Sequence, residues 1–189
     1  MLAYVFWHRP AAGVAETVYE QALTRFQRSL AARPPAGFSR STCLRAASLP
    51  WLEGEGQGYE DWYLLDDFAA LGVLNAAAVG RGHLTAHDEA ARRAGPGTGA
   101  IYRLLEGHSI PGDARVAVWI DKPRGAPLPV LGALLGDGMD AARAALWQRQ
   151  MALGPAPEYC VLAVEAPAGV NPSRLAPGWS ATVDARQPL

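Results

Sequence analysis

Three ionisable side chains lie on or next to short apolar runs within residues 1–67 of the chain: His8, Arg45 and Asp66. Burying such groups is costly unless they pair with one another or serve a site. A histidine can act as a general base, a carboxylate can orient it, and an arginine can hold an anionic group of a substrate. We therefore name His8, Arg45 and Asp66 as candidate catalytic residues. Two plainer interpretations stay open, namely exposed strand positions and a structural salt bridge.

Two segments of the chain resemble each other. Each begins with a short apolar run that contains a tryptophan, and in each a cysteine precedes a later tryptophan by the same number of residues. The matched residues are Trp7 with Trp119, Cys43 with Cys160, and Trp62 with Trp179. This register predicts an internal duplication, although two alanine-rich units of similar composition would also look alike. The two pairs of tryptophans would pack in a core or an interface, or line an aromatic cavity.

The same alignment singles out the candidate catalytic residues. Each of them is ionisable in the first copy and apolar in the second. The matched pairs are His8 with Ile120, Arg45 with Leu162, and Asp66 with Val183. An inserted residue leaves a second alignment open, in which His8 matches Asp121. The asymmetry predicts either a site in the first copy or a difference in exposure between the copies.

Apolar periodicity predicts the element order β-α-β-β in both copies. The first copy covers residues 1–67, with strands at 2–7, 39–47 and 60–66 and a helix at 13–32. The second covers residues 114–189, with strands at 115–120, 158–164 and 179–184, a helix at 137–153 and a loop at 171–178. The insertion at 68–113 holds helices at 68–79 and about 85–93, a glycine-rich loop at 95–99 and a short helix or strand at 100–105. The three parts are expected to form one compact domain.

This element order resembles the ferredoxin-like, dimeric α+β barrel superfamily, which includes antibiotic-biosynthesis monooxygenases and EthD-like, NIPSNAP-like and chlorite-dismutase-like proteins. The resemblance implies an α+β barrel with antiparallel sheets and a ligand cavity between them. It also implies a cofactor-independent, monooxygenase-like enzyme acting on an aromatic or apolar substrate. Trp7, Trp62, Trp119 and Trp179 would then line that cavity.

Two other functions stay open beside the enzyme. One is a binding protein for a hydrophobic ligand or for haem, with His8 or His108 as the axial ligand. The other is a structural or interaction module, in which tryptophans fill the barrel. A homodimer is also expected, because an incomplete second copy would leave a strand edge for a partner to cover.

Composition argues against several classes of protein. Half of the residues are hydrophobic, 19% are charged and the formal net charge is −1, which is typical of a globular protein without a nucleic-acid-binding surface. No apolar run approaches the roughly 20 residues of a membrane helix, and residues 2–7 are too short for a signal peptide. Together with two cysteines, which do not suggest a disulfide framework, these features predict a cytoplasmic protein.

Two motifs that resemble ligand sites have simpler interpretations. His83 and His87 have metal-like spacing, but the predicted helix begins between them and leaves them on different elements. The glycine-rich stretch at 95–99 lacks the Gly-Lys-Ser/Thr ending of a phosphate loop. No metal or nucleotide cofactor is therefore predicted.

Overall fold

The computed structural model describes residues 1–80, 82–108, 111–127, 131–135, 143–164, 175 and 177–189. Its strands are β1 (Leu2–Pro10), β2 (Phe38–Ala46), β3 (Gly58–Leu65), β4 (Ala94–Gly107), β5 (Val116–Asp121), β6 (Ala144–Ala152), β7 (Tyr159–Ala163) and β8 (Ser180–Pro188). Its helices are α1 (Glu16–Ala32), α2 (Phe68–Ala78), α3 (Leu84–Ala91) and α4 (Leu131–Leu134). Most of the loop predicted at 171–178 lies outside the described residues.

The strands form one closed barrel in the order β1-β3-β2-β8-β5-β7-β6-β4, and the pairing of β1 with β4 closes it. Every pair of neighbouring strands is antiparallel. This arrangement confirms the predicted α+β barrel with antiparallel strand pairing. Closure removes sheet edges, so the free strand edge expected of the second copy is wrong. The homodimer remains a prediction, but a free strand edge no longer supports it.

Strand pleating sends alternate side chains to opposite sides of the barrel wall. On β1, Ala3, Val5 and Trp7 lie in the cluster that fills the barrel, whereas Tyr4 and His8 face outward. The interior is occupied by large aromatic rings that are at most 1% exposed: Trp7, Trp62, Trp119, Trp147 and Tyr102. The barrel interior is therefore a packed core.

Helices α1, α2 and α3 lie outside the barrel, where α1 packs on β2 and α2 packs on β3. The buried side of α1 carries Tyr19, Leu23, Phe26 and Leu30, at the spacing of one helical face. The Ala70 backbone N–H donates to the Asp67 carboxylate at 2.9 Å, so Asp67 is the N-cap of α2. A pocket is left between these helices and the wall.

The helix predicted at 137–153 is wrong over its described part, because residues 144–152 form β6, between β4 and β7. The alternation of the strand is visible in its contacts. Ala145 and Trp147 face the barrel interior, and Leu146 packs in the cluster on the opposite side. Burial on both faces makes residues 144–147 a continuous apolar run, which periodicity alone does not distinguish from a buried helix.

The loop predicted at 95–99 is also wrong, because β4 runs continuously through it. The glycines are required by the aromatic side chains of β1. A Cβ at Gly97 would lie 2.6 Å from the Phe6 ring, and one at Gly99 would lie 2.9 Å from the Tyr4 ring. Glycine here marks a close approach between two strands.

The strand order constrains the proposed pairing of the two copies. One half of the barrel reads β4-β1-β3-β2 and the other reads β8-β5-β7-β6. Trp7 on β1 and Trp119 on β5 occupy corresponding places in these halves. Cys43 on β2 and Cys160 on β7 do not, so the register that matched the cysteines, and with it the match of Arg45 to Leu162, disagrees with the strand order.

Candidate functional site

A pocket of about 810 Å³ lies outside the barrel, between its wall and helices α1, α2 and α3. This volume is in the range of small-molecule sites. The wall contributes Tyr4, Phe6, His8, Asp61, Tyr63 and Ile101, and the helices contribute Tyr19, Leu23, Phe26, Phe68, Leu74 and His87 among others. Aromatic and aliphatic side chains therefore surround a small number of polar groups.

The polar groups form one connected cluster around His8. The Tyr19 hydroxyl lies 2.7 Å from His8 Nδ1, and His8 Nε2 lies 3.4 Å from Asp61 Oδ2. Asp61 accepts hydrogen bonds from the Tyr63 hydroxyl at 2.8 Å and from Gln27 Nε2 at 3.2 Å. Strands β1 and β3 and helix α1 thus position a Tyr–His–Asp arrangement.

The ring of His8 is held by stacking as well as by hydrogen bonding. Its centroid lies 5.2 Å from that of Phe6 and 5.8 Å from that of Tyr59, with interplanar angles of 26° and 11°. His8 is 1% exposed and Asp61 is 3% exposed. A buried imidazole beside a buried carboxylate is a typical general acid–base pair.

Burial and the Asp61 carboxylate keep the surrounding phenols neutral. Burial, with Asp61 as the second cause, raises the pKa of Tyr4 to about 12 and raises that of Tyr19 further. The pKa of Tyr63 is raised well above its usual value by burial and then by the charge of Asp61. These side chains therefore act as hydrogen-bond donors and acceptors at neutral pH.

The three candidate catalytic residues do not converge. Arg45 faces a different, shallower groove, where its guanidinium makes a two-point ion pair with Glu20 at 2.6 and 2.8 Å. Asp66 follows β3 and is exposed, outside the pocket that contains His8. The plainer interpretations apply to these two: Arg45 forms a salt bridge, and Asp66 occupies an exposed position.

The predicted aromatic cavity is not assembled from the four tryptophans. Trp7, Trp62 and Trp119 pack against one another inside the barrel, and Trp179 packs, partly buried, against a separate cluster next to β5, β6 and β7. None of the four lines the pocket that contains His8. Trp7, Trp62 and Trp119 form a core because they lie on inward-facing strand positions.

The barrel interior also holds buried charges. The Arg186 guanidinium donates to the Glu60 carboxylate and lies 5.6 Å from the centroid of the Trp62 ring. Asp184, 0% exposed, accepts from the Ser48 backbone N–H at 2.7 Å. Burial, and then the charge of Glu60, raise the pKa of Asp184 to about 7.

The residues that sequence reasoning missed are the partners of His8: Asp61, Tyr63, Tyr19 and Gln27. The sequence holds a signal for two of them, because Tyr59, Asp61 and Tyr63 are every second residue of β3 and so lie on one face of the strand. A carboxylate on a strand face otherwise made of aromatics is unusual unless it has a partner. Gln27 and Tyr19 carry no such signal, since both fit an ordinary helix.

Haem ligation does not fit the two histidines proposed for it. The Nδ1 of His8 is in contact with Tyr19 and its Nε2 faces Asp61 at 3.4 Å. Haem iron takes protein ligands at axial positions only, so haem on Nε2 would have to displace Asp61. His108 is exposed, beyond the end of β4, and is not in this pocket.

Comparison with solved structures finds a protein described as an anthrone oxidase-like protein. The match has a TM-score of 0.51 at 11% sequence identity, and it covers 98% of this chain and 91% of the other. At that identity the likeness establishes the fold alone. No protein-family model matches the chain, and a search of curated proteins finds no match.

Within the described residues, no helix is both long and apolar enough to cross a membrane.

Proposed function

We propose that this protein is a cofactor-independent oxidase of a hydroxylated polycyclic aromatic compound, with the substrate bound in the pocket outside the barrel. The observation that carries the proposal is the buried His8–Asp61 pair at one wall of an otherwise apolar, aromatic pocket. Such a pocket accommodates a flat ring system, and its buried histidine–carboxylate pair provides a base.

The substrate class follows from what a base can do without a metal or flavin. An anthrone-type compound carries a methylene group acidified by a conjugated carbonyl group. Removal of one methylene proton gives a carbanion stabilised as a phenolate, which is electron-rich enough to react with dioxygen. The neighbour described as anthrone oxidase-like supports this choice of substrate class.

The reaction balances with dioxygen as the only co-substrate. His8 Nε2 accepts a methylene proton, and the carbanion forms a C–O bond with dioxygen and becomes a peroxide anion. The proton returns from His8 to that peroxide. Cleavage of the O–O bond and loss of the second methylene hydrogen then give a carbonyl group and water, so the carbon loses four electrons and dioxygen gains four.

The surrounding residues orient the base. The Tyr19 hydroxyl lies 2.7 Å from His8 Nδ1; in the proposed mechanism Nδ1 carries the proton and donates it to this hydroxyl oxygen, which leaves the Nε2 lone pair available. The imidazolium that forms lies 3.4 Å from the Asp61 carboxylate. Tyr63 and Gln27 hold that carboxylate in place.

A non-catalytic binding protein is the second candidate function. The observation that favours it is the near-complete burial of His8, at 1% exposure. Catalysis requires the substrate to reach a nitrogen of this buried ring, whereas binding in the pocket does not. Both functions place the aromatic compound in the same pocket, and only the oxidase converts it to a product.

Substrate-dependent oxygen uptake in the presence of a chelator tests the oxidase. We expect the wild-type chain to consume one dioxygen for each anthrone-type molecule oxidised and Asp61→Asn to lose most of that activity. Glu158→Gln, on the β5–β7 side of the barrel, is the control and should be unaffected. Saturable binding of the compound without oxygen uptake would support the binding protein instead.

The duplication is a separate proposal. It is supported by the matching strand orders β4-β1-β3-β2 and β8-β5-β7-β6, each of which is the order of a ferredoxin-like unit. In this proposal residues 68–113 belong with the first unit, because β4 pairs with β1. A homodimer is likewise proposed only from the resemblance, and sedimentation at high concentration tests it.

A further inference from the structure

Three neighbouring strands bring a histidine, a cysteine and an aspartate together beneath α1. Cys43 on β2 lies directly opposite Asp61 on β3 in the strand register, and His8 on β1 lies diagonally across from Asp61. One ligating atom from each of the three side chains lies within 4.8 Å of the other two, and all three residues are buried.

The geometry points to a metal site: His8 Nε2, Cys43 Sγ and one carboxylate oxygen of Asp61 bind a divalent transition-metal ion, with zinc the best match to this donor set. Imidazole nitrogen, thiolate sulfur and carboxylate oxygen are the three ligand types of protein zinc sites. Bond lengths of about 2.0–2.3 Å place neighbouring donors of a tetrahedral centre roughly 3.3–3.8 Å apart. The observed 3.4 Å between His8 Nε2 and Asp61 Oδ2 is in that range.

An unpartnered buried atom supports the assignment. His8 Nε2 is buried and makes no hydrogen bond within the described part of the chain, although its ring is otherwise well held. A buried polar atom without a partner is costly. A bound cation would satisfy this nitrogen.

The side chains that contact His8 and Asp61 also fit a metal site. The other nitrogen of His8 contacts the Tyr19 hydroxyl at 2.7 Å, which fixes the ring orientation. Asp61 is oriented by Tyr63 and Gln27. Hydrogen bonds of this kind hold ligands in position around bound metals. The pocket lined by His8 and Asp61 gives the ion a route from solvent.

This site does not depend on the proposed oxidation, but it uses the same nitrogen of His8. A metal ion on Nε2 would prevent that atom from accepting a proton from a substrate. Zinc would therefore inhibit the proposed oxidase, and the cluster would switch between a proton acceptor and a metal complex according to the zinc available.

Cobalt(II) titration of the apo-protein, followed by absorption spectroscopy at mildly alkaline pH, tests the site. Metal binding displaces the thiol proton, so alkaline conditions favour it. We expect one cobalt ion per chain, a near-ultraviolet thiolate-to-cobalt charge-transfer band and loss of that band when zinc is added. Cys43→Ser should abolish the band.

Cys160→Ser is the matched control, because the chain has two cysteines and Cys160 is also buried, in the barrel core. It should keep the band. Asp61→Asn is a second variant that leaves both thiols in place, and it should weaken cobalt binding at least tenfold. The site is overturned if wild-type protein gives no thiolate band, or if Cys160→Ser rather than Cys43→Ser removes it.

The outcomes separate this inference from the oxidase. A thiolate band in a protein without oxygen uptake supports the metal site and contradicts the oxidase. Oxygen uptake without any thiolate band, and without zinc inhibition, supports the oxidase and contradicts the metal site.

Discussion

The rings of Trp7 and Trp119 meet edge to face inside the barrel, with centroids 5.2 Å apart and an interplanar angle of 76°. Their strands, β1 and β5, are not neighbours in the sheet, so this contact crosses the interior. Trp62 extends it, with its ring centroid 6.1 Å from that of Trp119. The centre of the barrel is thus filled by aromatic rings, and the candidate site lies outside it.

Truncation of this aromatic core should be costly. We expect Trp119→Ala to lower the free energy of unfolding by about 3–5 kcal/mol, because a fully buried ring leaves a cavity. Trp179→Ala should cost less, since Trp179 is only partly buried. Denaturant unfolding monitored by circular dichroism measures both. Equal losses in the two variants would contradict a tryptophan-filled interior.

The stability of the protein should depend on the ionisation of Asp184. Its pKa is about 7 in the folded chain against 3.8 for the unperturbed group, because burial and Glu60 disfavour the charged form. The folded state therefore binds this proton more tightly. The contribution is complete below about pH 4 and is lost as the pH rises through 7, with an upper limit of about 4 kcal/mol.

Asp184→Asn removes that titration. We expect the free energy of unfolding of the variant, relative to the wild type, to rise between pH 5 and pH 8 by about 1–4 kcal/mol. Denaturant unfolding at both pH values gives this difference, in which titrations common to the two proteins cancel. A difference that stays constant with pH would show that Asp184 ionises normally in the barrel.

The pocket can be filled from α2. Gly72 lines it, and a Cβ at this position meets no atom within 4 Å. We expect Gly72→Trp to weaken binding of an anthrone-type ligand at least tenfold, because the indole takes up pocket volume. Isothermal titration calorimetry measures the affinity.

Gly72→Ala is the matched control for that variant. It should bind the ligand as the wild type does, and it should be stabilised by up to about 1 kcal/mol through helix propensity. Equal binding by Gly72→Trp and Gly72→Ala would place the ligand elsewhere.

The fold could be predicted from sequence where one strand face is buried and the other is covered by a helix or exposed. The strands near residues 2–7 and 60–66 and helix α1 follow from such patterns. Prediction failed for β6, where burial on both faces hides the alternation, and for the start of β4, where glycines make room for the Phe6 and Tyr4 rings. In both cases the cause lies in other parts of the chain, which pack against the misassigned residues.

The site could be predicted only in part. His8 is found in a polar cluster of the pocket, whereas Arg45 and Asp66 are not. Arg45 and Asp66 follow from the part of the alignment that matched the cysteines, and this register places Cys43 on β2 against Cys160 on β7. The actual partner, Asp61, was overlooked because its neighbours read as an ordinary aromatic strand.

The proposed oxidation requires His8 to remove a carbon-bound proton from a substrate in the outer pocket. Deuterium exchange into the methylene group of an anthrone-type compound, in heavy water without oxygen, isolates that step from the reaction with dioxygen. We expect wild-type protein to accelerate the exchange and His8→Gln to lose at least 90% of the acceleration while still binding the compound. Exchange by His8→Gln at the wild-type rate, with equal binding, would contradict this role of His8.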